Sequence, residues 1–293
     1  MLLGTTPYAS DVELPAALPG EERRLRAELR KALGRNEFAI VYQPRVDLPT
    51  GAVLGCEALL RWPGRARGIL PPNLFIPVAE RTEIINEIGA WVLTQACTEA
   101  RLWGDRLVSV NVSGRQLASG MLPLQVSDAL EQSGLAPEHL ELELTESLLI
   151  ECGTETLLTL SALRDLGVGI ALDDFGTGWA SIAMLKRLPL TTLKLDRSLV
   201  RELPGNREDA AIMRCVIQTG HALGLSVVAE GIETEIQRAY LAGLGCDEGQ
   251  GYLFSHPLSP ELVWPFVANR DETCSIGRAG PETRHERPRN PLS

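Results

Sequence analysis

The chain has 293 residues, 44% of them hydrophobic and 23% charged, with a formal net charge of −10. This is ordinary soluble composition, with room for one large α/β barrel or two ordinary domains. The acidic balance argues against a long nucleic-acid partner, and the lack of a secretory leader or of any apolar run near the roughly 18 residues of a membrane span predicts a cytosolic chain without membrane contact.

Residues 1–20 carry several Pro, Gly and small residues without a period and read as a linker. Leu25, Leu29 and Leu33, four apart and followed by Gly34, predict a helix over Glu21–Leu33. Strands are predicted at Phe38–Gln43, Val53–Leu60, Leu107–Val112, Leu140–Leu144, Val168–Leu172, Thr192–Leu195, Ser226–Ala229 and Gly251–Phe254. Most are apolar on both parities, as strands covered on both faces should be. Helical patterns lie between them; Glu208–Leu223, for instance, sets Ile212, Cys215, Val216 and Leu223 on one face. Residues 271–293, rich in Arg, Glu, Pro and Gly, read as a disordered tail. The cysteines (Cys56, Cys97, Cys152, Cys215, Cys246, Cys274) show no metal-like spacing and read as small buried hydrophobes in a reducing compartment.

Strand–helix alternation repeated about eight times over residues 21–270 predicts an α/β fold, a TIM-like (β/α)8 barrel. A doubly wound open sheet is the competing architecture, although no Gly-rich phosphate fingerprint follows the first strand. The Val46–Ala52 connection, with Pro49 and Gly51, is too short for a parallel crossover and fits a hairpin. One antiparallel strand, the first, is therefore expected.

Acids and amides interrupt these apolar strands at or near one end. Glu57 closes the second predicted strand, Asn111 sits in Val110-Asn111-Val112, and Glu143 in Leu142-Glu143-Leu144. Asp173 and Asp174 follow Ile170-Ala171-Leu172, Lys194 lies between Leu193 and Leu195, Glu230 follows Ala229, and Gln250 precedes Gly251-Tyr252. In a barrel they would converge on the C-terminal mouth, where such folds keep their chemistry. Asn111 or Gln250 taken singly reads as a structural hydrogen-bonder. Five carboxylates converging on one lysine need a further cation. The donors are all oxygen, which suits Mg²⁺ or Mn²⁺, with Ca²⁺ able to compete. Adjacent Asp173 and Asp174 can contact two metals about 3.5–4 Å apart, an arrangement suited to displacement at a phosphodiester.

Glu57-Ala58-Leu59-Leu60-Arg61-Trp62 is similar to the signature that names the EAL domain family of cyclic di-GMP phosphodiesterases. Tyr42-Gln43-Pro44, Asn111-Val112-Ser113, Glu143-Leu144-Thr145-Glu146, Asp173-Asp174-Phe175-Gly176-Thr177-Gly178, Leu193-Lys194-Leu195-Asp196, Ala229-Glu230-Gly231-Ile232-Glu233 and Gln250-Gly251-Tyr252 also match, in the family's order, over residues 21–268. The resemblance implies a TIM-barrel enzyme that hydrolyses cyclic di-GMP to linear pGpG. It would use two Mg²⁺ or Mn²⁺ ions, be inhibited by Ca²⁺ and work as a homodimer.

The same resemblance implies roles. Glu57, Asn111, Glu143 and Asp173 would hold the first metal, and Asp173 would bridge to a second held by Asp174 and aided by Glu230. Lys194 would orient the attacking water and offset developing charge, while Glu230 would hydrogen-bond or deprotonate that water. Gln250 would position a water or the ligand, Arg61 would grip the substrate phosphate, and Gln43 would face the ligand. Asp196 and Glu233 would contact guanine or support the site from behind. Glu146 would hold the Asp173–Gly178 loop through its backbone or Thr177, and the two glycines there permit a tight turn. Trp179, His256 and Glu83 depart from the family's commoner residues without losing a metal-site position. A receptor that binds cyclic di-GMP without cutting it and a barrel phosphodiesterase for another nucleotide are the alternative readings.

Overall fold

In the computed structural model the described residues are 19–64, 68–146, 148, 153–178 and 182–268. The tail expected at 271–293, the linker up to residue 18, and Cys152, Trp179 and Cys274 lie outside them. Helix α1 (Pro19–Gly34) starts just before the expected Glu21 and buries Leu29 and Ala32. No described helix is long and apolar enough to cross a membrane.

Strand β1 (Ala39–Asp47) turns into β2 (Val53–Gly64) as an antiparallel hairpin, as the short connection predicts. Asp47 Oδ1 accepts from Thr50 N at 2.7 Å, and Gly51 takes φ 75°, a conformation that favours a residue without Cβ. β2 runs past Glu57 and folds back on β3 (Gly68–Leu70), so Glu57 lies mid-strand and not at the strand's end. There follow β4 (Leu107–Asn111), β5 (Leu140–Thr145), β6 (Gly169–Phe175), β7 (Thr192–Leu195), β8 (Ser226–Ala229) and β9 (Glu248–Gln250). From β2 through β4 to β9, barrel neighbours are parallel. β1 alone runs against them, pairing with both β2 and β9. That closes eight strands into a barrel, leaves β3 outside it, and excludes the open doubly wound sheet.

Contrary to expectation, several of these strands are apolar on one parity only. On β5, Leu140, Leu142 and Leu144 are buried in the apolar core, while Glu141 and Glu143 point into the barrel. Their direction is fixed by contacts across the interior: Arg45 of β1 and Thr192 of β7 both reach Glu141, and neither strand is a sheet neighbour of β5. Barrel interiors are ordinarily filled by branched apolar side chains. Here the interior holds acids, amides and the buried cations Lys194 and Arg45.

Two further expectations shift. The segment expected as a strand at Gly251–Phe254 is a turn, and the last strand is Glu248–Gln250. A Cβ at Gly251 would lie 2.1 Å from Ile232 O, so the backbone is pressed against the loop after β8. The helix Arg207–Ala222 buries Met213, Ile217 and Gly220, leaving Ile212 47% exposed and Cys215 exposed, with Val216 and Leu223 half-buried. Gly220 selects that face: a Cβ there would meet a Val227 methyl at 2.7 Å, so its missing side chain lets the helix approach β8.

Candidate active site

Strand periodicity would send Asp173 and Asp174 to opposite faces. Two local features bring them together. The β6–β7 register slips between Leu172 and Phe175, a bulge, and Asp174 takes φ 56°, a left-handed conformation uncommon outside glycine. As a result, oxygens of Asp173, Asp174 and Glu230 lie within 4.8 Å of one another. The loop that follows is held by Glu146 Oε2, which accepts from Gly176 N and Gly178 N at 3.2 Å each. Thr177 Oγ1 donates to Asp174 O at 2.9 Å. Glu146 therefore grips the loop by its backbone, the first of the two expected routes.

Lys194 is fully buried, and its Nζ lies 2.7 Å from Glu230, 2.8 Å from Glu143, 3.2 Å from Asp173 and 3.7 Å from Glu57. Burial alone would lower the ammonium's pKa, but Asp173, Glu143, Glu230 and Glu57 outweigh it and keep the group charged. Glu57 is clasped by amides: Asn111 Nδ2 donates to Oε1 at 2.8 Å and Gln250 Nε2 to Oε2 at 2.7 Å. Against burial, Lys194 and these amides hold the Glu57 carboxyl below the usual range. Burial, then the Glu57 charge, raises Glu143 well above it. Glu230 is pushed up to about 8 by burial against the pull of Lys194, and Asp174 to about 6 by burial with Asp173 and Asp196 beside it.

The acids are too crowded to ionise together on one ammonium. Both Glu143 oxygens and Asp173 Oδ1 are buried without a directed hydrogen bond, Glu143 Oε2 and Asp173 Oδ1 meeting only the ammonium of Lys194 that they share. Leaving a buried acceptor unsatisfied costs about 1–3 kcal/mol, more when it is charged. Carboxylate oxygens that share one ammonium and converge with an Asn amide are what a hard divalent cation would satisfy. The donor set fits the metal chemistry that the sequence predicts.

Two cavities open beside the cluster. The first, about 620 Å³, is lined by Glu57, Arg61, Asn111 and apolar side chains that include Ile76, Ile85 and Val92. The second, about 530 Å³, is lined by Gln43, Asp174, Asp196, Glu230, Glu233, Gln250 and Tyr252. Arg61 is nearly buried along the first and donates to Leu60 O at 2.9 Å. Gln43 accepts from Gln250 Nε2 at 3.1 Å and donates to Ser255 O at 3.4 Å. Asp196 also caps the helix Arg197–Val200, accepting from Ser198 N at 2.9 Å, whereas Glu233 is exposed. His256 stacks on Tyr252 with ring centroids 4.1 Å apart, and Glu83 pairs with Arg115.

One cation is absent from the sequence reading. Arg45, 2% exposed, contacts Glu141 and Glu248 and stands 4.0 Å from Glu143 Oε1. Its signal is Leu140-Glu141-Leu142-Glu143-Leu144, where two glutamates on one parity imply a second polar layer.

Comparison with known proteins adds three findings. The EAL domain family model matches residues 26–257. The bifunctional diguanylate cyclase/cyclic di-GMP phosphodiesterase MucR of Pseudomonas aeruginosa is 43% identical over 253 residues, 85% of this chain and 37% of that protein. The oxygen sensor protein DosP of Escherichia coli is 40% identical over 244 residues, 82% of this chain and 30% of that protein. The chain thus spans about a third of the length of these curated relatives. Among solved structures, the PaMucR phosphodiesterase in complex with c-di-GMP superposes with a TM-score of 0.78 at 43% identity, covering 82% of this chain and 99% of that one. The EAL enzyme Bd1971, in a cAMP and cyclic-di-GMP bound form, gives 0.80 at 33% identity, covering 84% and 69%.

Proposed function

Because the chain belongs to the EAL domain family, we propose that it is a cytosolic phosphodiesterase that opens cyclic di-GMP to linear pGpG with two Mg²⁺ or Mn²⁺ ions, Ca²⁺ acting as an inhibitor. The observation that carries this reading is the buried set of Glu57, Glu143, Asp173 and Glu230 around Lys194, with Asp174 turned in beside them. Likeness to MucR, whose solved structure is a c-di-GMP complex, supports the choice of substrate.

In this reading Glu57, Asn111, Glu143 and Asp173 would hold one ion, and Asp173, Asp174 and Glu230 the other. When bound, the pair supplies an activated water and screens the charge of the phosphodiester. Asn111 and Gln250 fix the Glu57 carboxylate, which accepts from both. Lys194 remains an ammonium and faces the negative charge that develops on phosphorus-bound oxygen. Glu230, 2.7 Å from Lys194 Nζ, would hydrogen-bond to the attacking water or take its proton. Arg61 meets a phosphate from the first cavity, and Gln43 and Gln250 border the second. Asp196 and Glu233 offer carboxylate acceptors to the donor edge of guanine. Cavities on both sides of the acids suit a substrate that carries a base on each side of its phosphates. Homodimerisation belongs to the proposal as well, supported by Leu158 (66% exposed) and Ile182 (57% exposed) on helices either side of the Glu146-held loop.

The test is incubation of the purified chain with cyclic di-GMP, cAMP and cyclic GMP, with and without Mg²⁺ or Mn²⁺, and chromatography of the products. Linear pGpG formed only with metal is the expected result. Binding of cyclic di-GMP without product at any metal concentration would favour the receptor, and cleavage of another nucleotide would favour a different substrate.

A further inference from the structure

Beneath the acid cluster lies a second charged layer to which the proposed reaction gives no part. Arg45 is gripped from two sides: Nε and Nη2 donate to Glu248 Oε2 at 3.1 and 3.0 Å, and Nη1 donates to Glu141 Oε1. Those carboxylates are held in turn, Glu141 by Thr192 Oγ1 and Glu248 by Ser226 Oγ at 3.1 Å. Strands β1, β5, β7, β8 and β9 are thereby tied together inside the barrel. The two layers meet at Glu143, whose Oε1 lies 4.0 Å from Arg45 Nη1 and whose Oε2 lies 2.8 Å from Lys194 Nζ. The Glu143 carboxylate makes no directed hydrogen bond besides these charge contacts. It sits between two fixed cations.

A guanidinium is a rigid planar fork that keeps its charge when buried. Glu141 and Glu248 set its orientation, so rotation of the Arg45 side chain cannot open or close the gap to Glu143. We infer that Arg45 is a positioning residue for Glu143, fixing that carboxylate from below while Lys194 engages it from the side of the mouth. The inference rests on the metal-dependent reading above. If the lower layer served only to close the barrel, its loss would lower stability and leave the properties of the site unchanged. A partner that orients a ligating group changes metal affinity or activity by about 10–100-fold when it is removed.

The test uses the full chain carrying Arg45→Met, Glu141→Gln and Glu248→Gln together. The three changes remove the layer's charges at once and leave no unpaired ion behind. Mn²⁺ affinity is read from the paramagnetic resonance signal of free Mn²⁺ with no nucleotide present, alongside kcat, KM and thermal melting. Mn²⁺ affinity should fall about tenfold or more and kcat should fall with it, while KM holds because Arg45 lines neither substrate cavity. Parental Mn²⁺ affinity and kcat would overturn the inference. Should the triple variant fail to fold, Arg45→Lys takes its place: it keeps a charge but cannot span Glu141 and Glu248 together. Weaker Mn²⁺ binding by Arg45→Lys supports the inference, and parental binding overturns it. A parent chain that binds no Mn²⁺ would sink the metal-dependent reading and the inference together, whereas a binding parent matched by its variants sinks the inference alone.

Discussion

Replacing Lys194 with Met keeps the length and the apolar stem of the side chain but deletes a cation that faces four carboxylates at 2.7 to 3.7 Å. Removing one partner of a buried ion pair costs about 3–5 kcal/mol. Here the acids can relieve part of the loss by taking protons, since Glu143 and Glu230 are already displaced upward, so the lower figure of about 3 kcal/mol applies. At roughly 2–4 °C per kcal/mol for a domain of this size, the metal-free protein should melt about 6–12 °C below the parent. Saturating Mn²⁺ should narrow that gap, because a divalent ion supplies the missing positive charge. Turnover should fall about 10²–10³-fold, the usual effect of losing one group that stabilises transition-state charge. Melting with and without Mn²⁺, and kcat at saturating substrate, measure these effects. A metal-free melting point within about 1 °C of the parent would refute the idea that the acids share the charge of Lys194. An unaltered kcat would refute its part in the reaction.

Glu57→Ala removes a direct ligand and the acceptor of both Asn111 and Gln250, so Mn²⁺ affinity and turnover should fall by more than the roughly 10–100-fold typical of outlying partners; calorimetric Mn²⁺ binding equal to that of the parent would contradict the ligand assignment. Glu146→Ala leaves the Gly176 and Gly178 amides without their carboxylate, and each bond is worth about 1.5–3 kcal/mol. Hydrogen exchange at those two amides should accelerate, and unchanged protection would show that the loop is held by other means. For pH, Glu230 moves from 4.5 to about 8 and Asp174 from 3.8 to about 6 on folding. Between those limits the folded chain binds protons that the unfolded chain has lost, so metal-free stability falls as pH rises from about 4 to 8. Urea midpoints from pH 5 to 8 check the sign, and a rising midpoint would refute it. Mn²⁺ binding at pH 7 should then release protons, seen as a binding heat that varies with the buffer.

Much of the site is legible in the sequence because the polar residues interrupt runs that have every other reason to be apolar. Glu143 between two leucines and Lys194 between two more can face only the interior of a closed sheet. The antiparallel first strand is legible for a similar reason, since Pro49 and Gly51 leave no length for a crossover. What escapes the sequence is set by long-range geometry. The convergence of Asp173 and Asp174 depends on a bulge against β7, and no local preference announces it. Glu248-Gly249-Gln250 has no strand-forming side chain, yet it pairs with β1 and β8, while the aromatic and apolar Tyr252, Leu253 and Phe254 form a turn because Gly251 is pressed against Ile232. Arg45 lies within an apparently ordinary strand, and only barrel closure brings it to Glu141 and Glu248 from distant parts of the chain. On the helix Arg207–Ala222 two apolar stripes compete, and a glycine facing Val227 decides between them.

Oxygen side chains from five strands and their ends would cradle a pair of hard cations. Anomalous scattering from crystals grown with Mn²⁺ tests this arrangement most directly. Two peaks are predicted, one touching Glu57, Asn111, Glu143 and Asp173, the other touching Asp173, Asp174 and Glu230. Saturating Mn²⁺ with no peak inside that ring would contradict it.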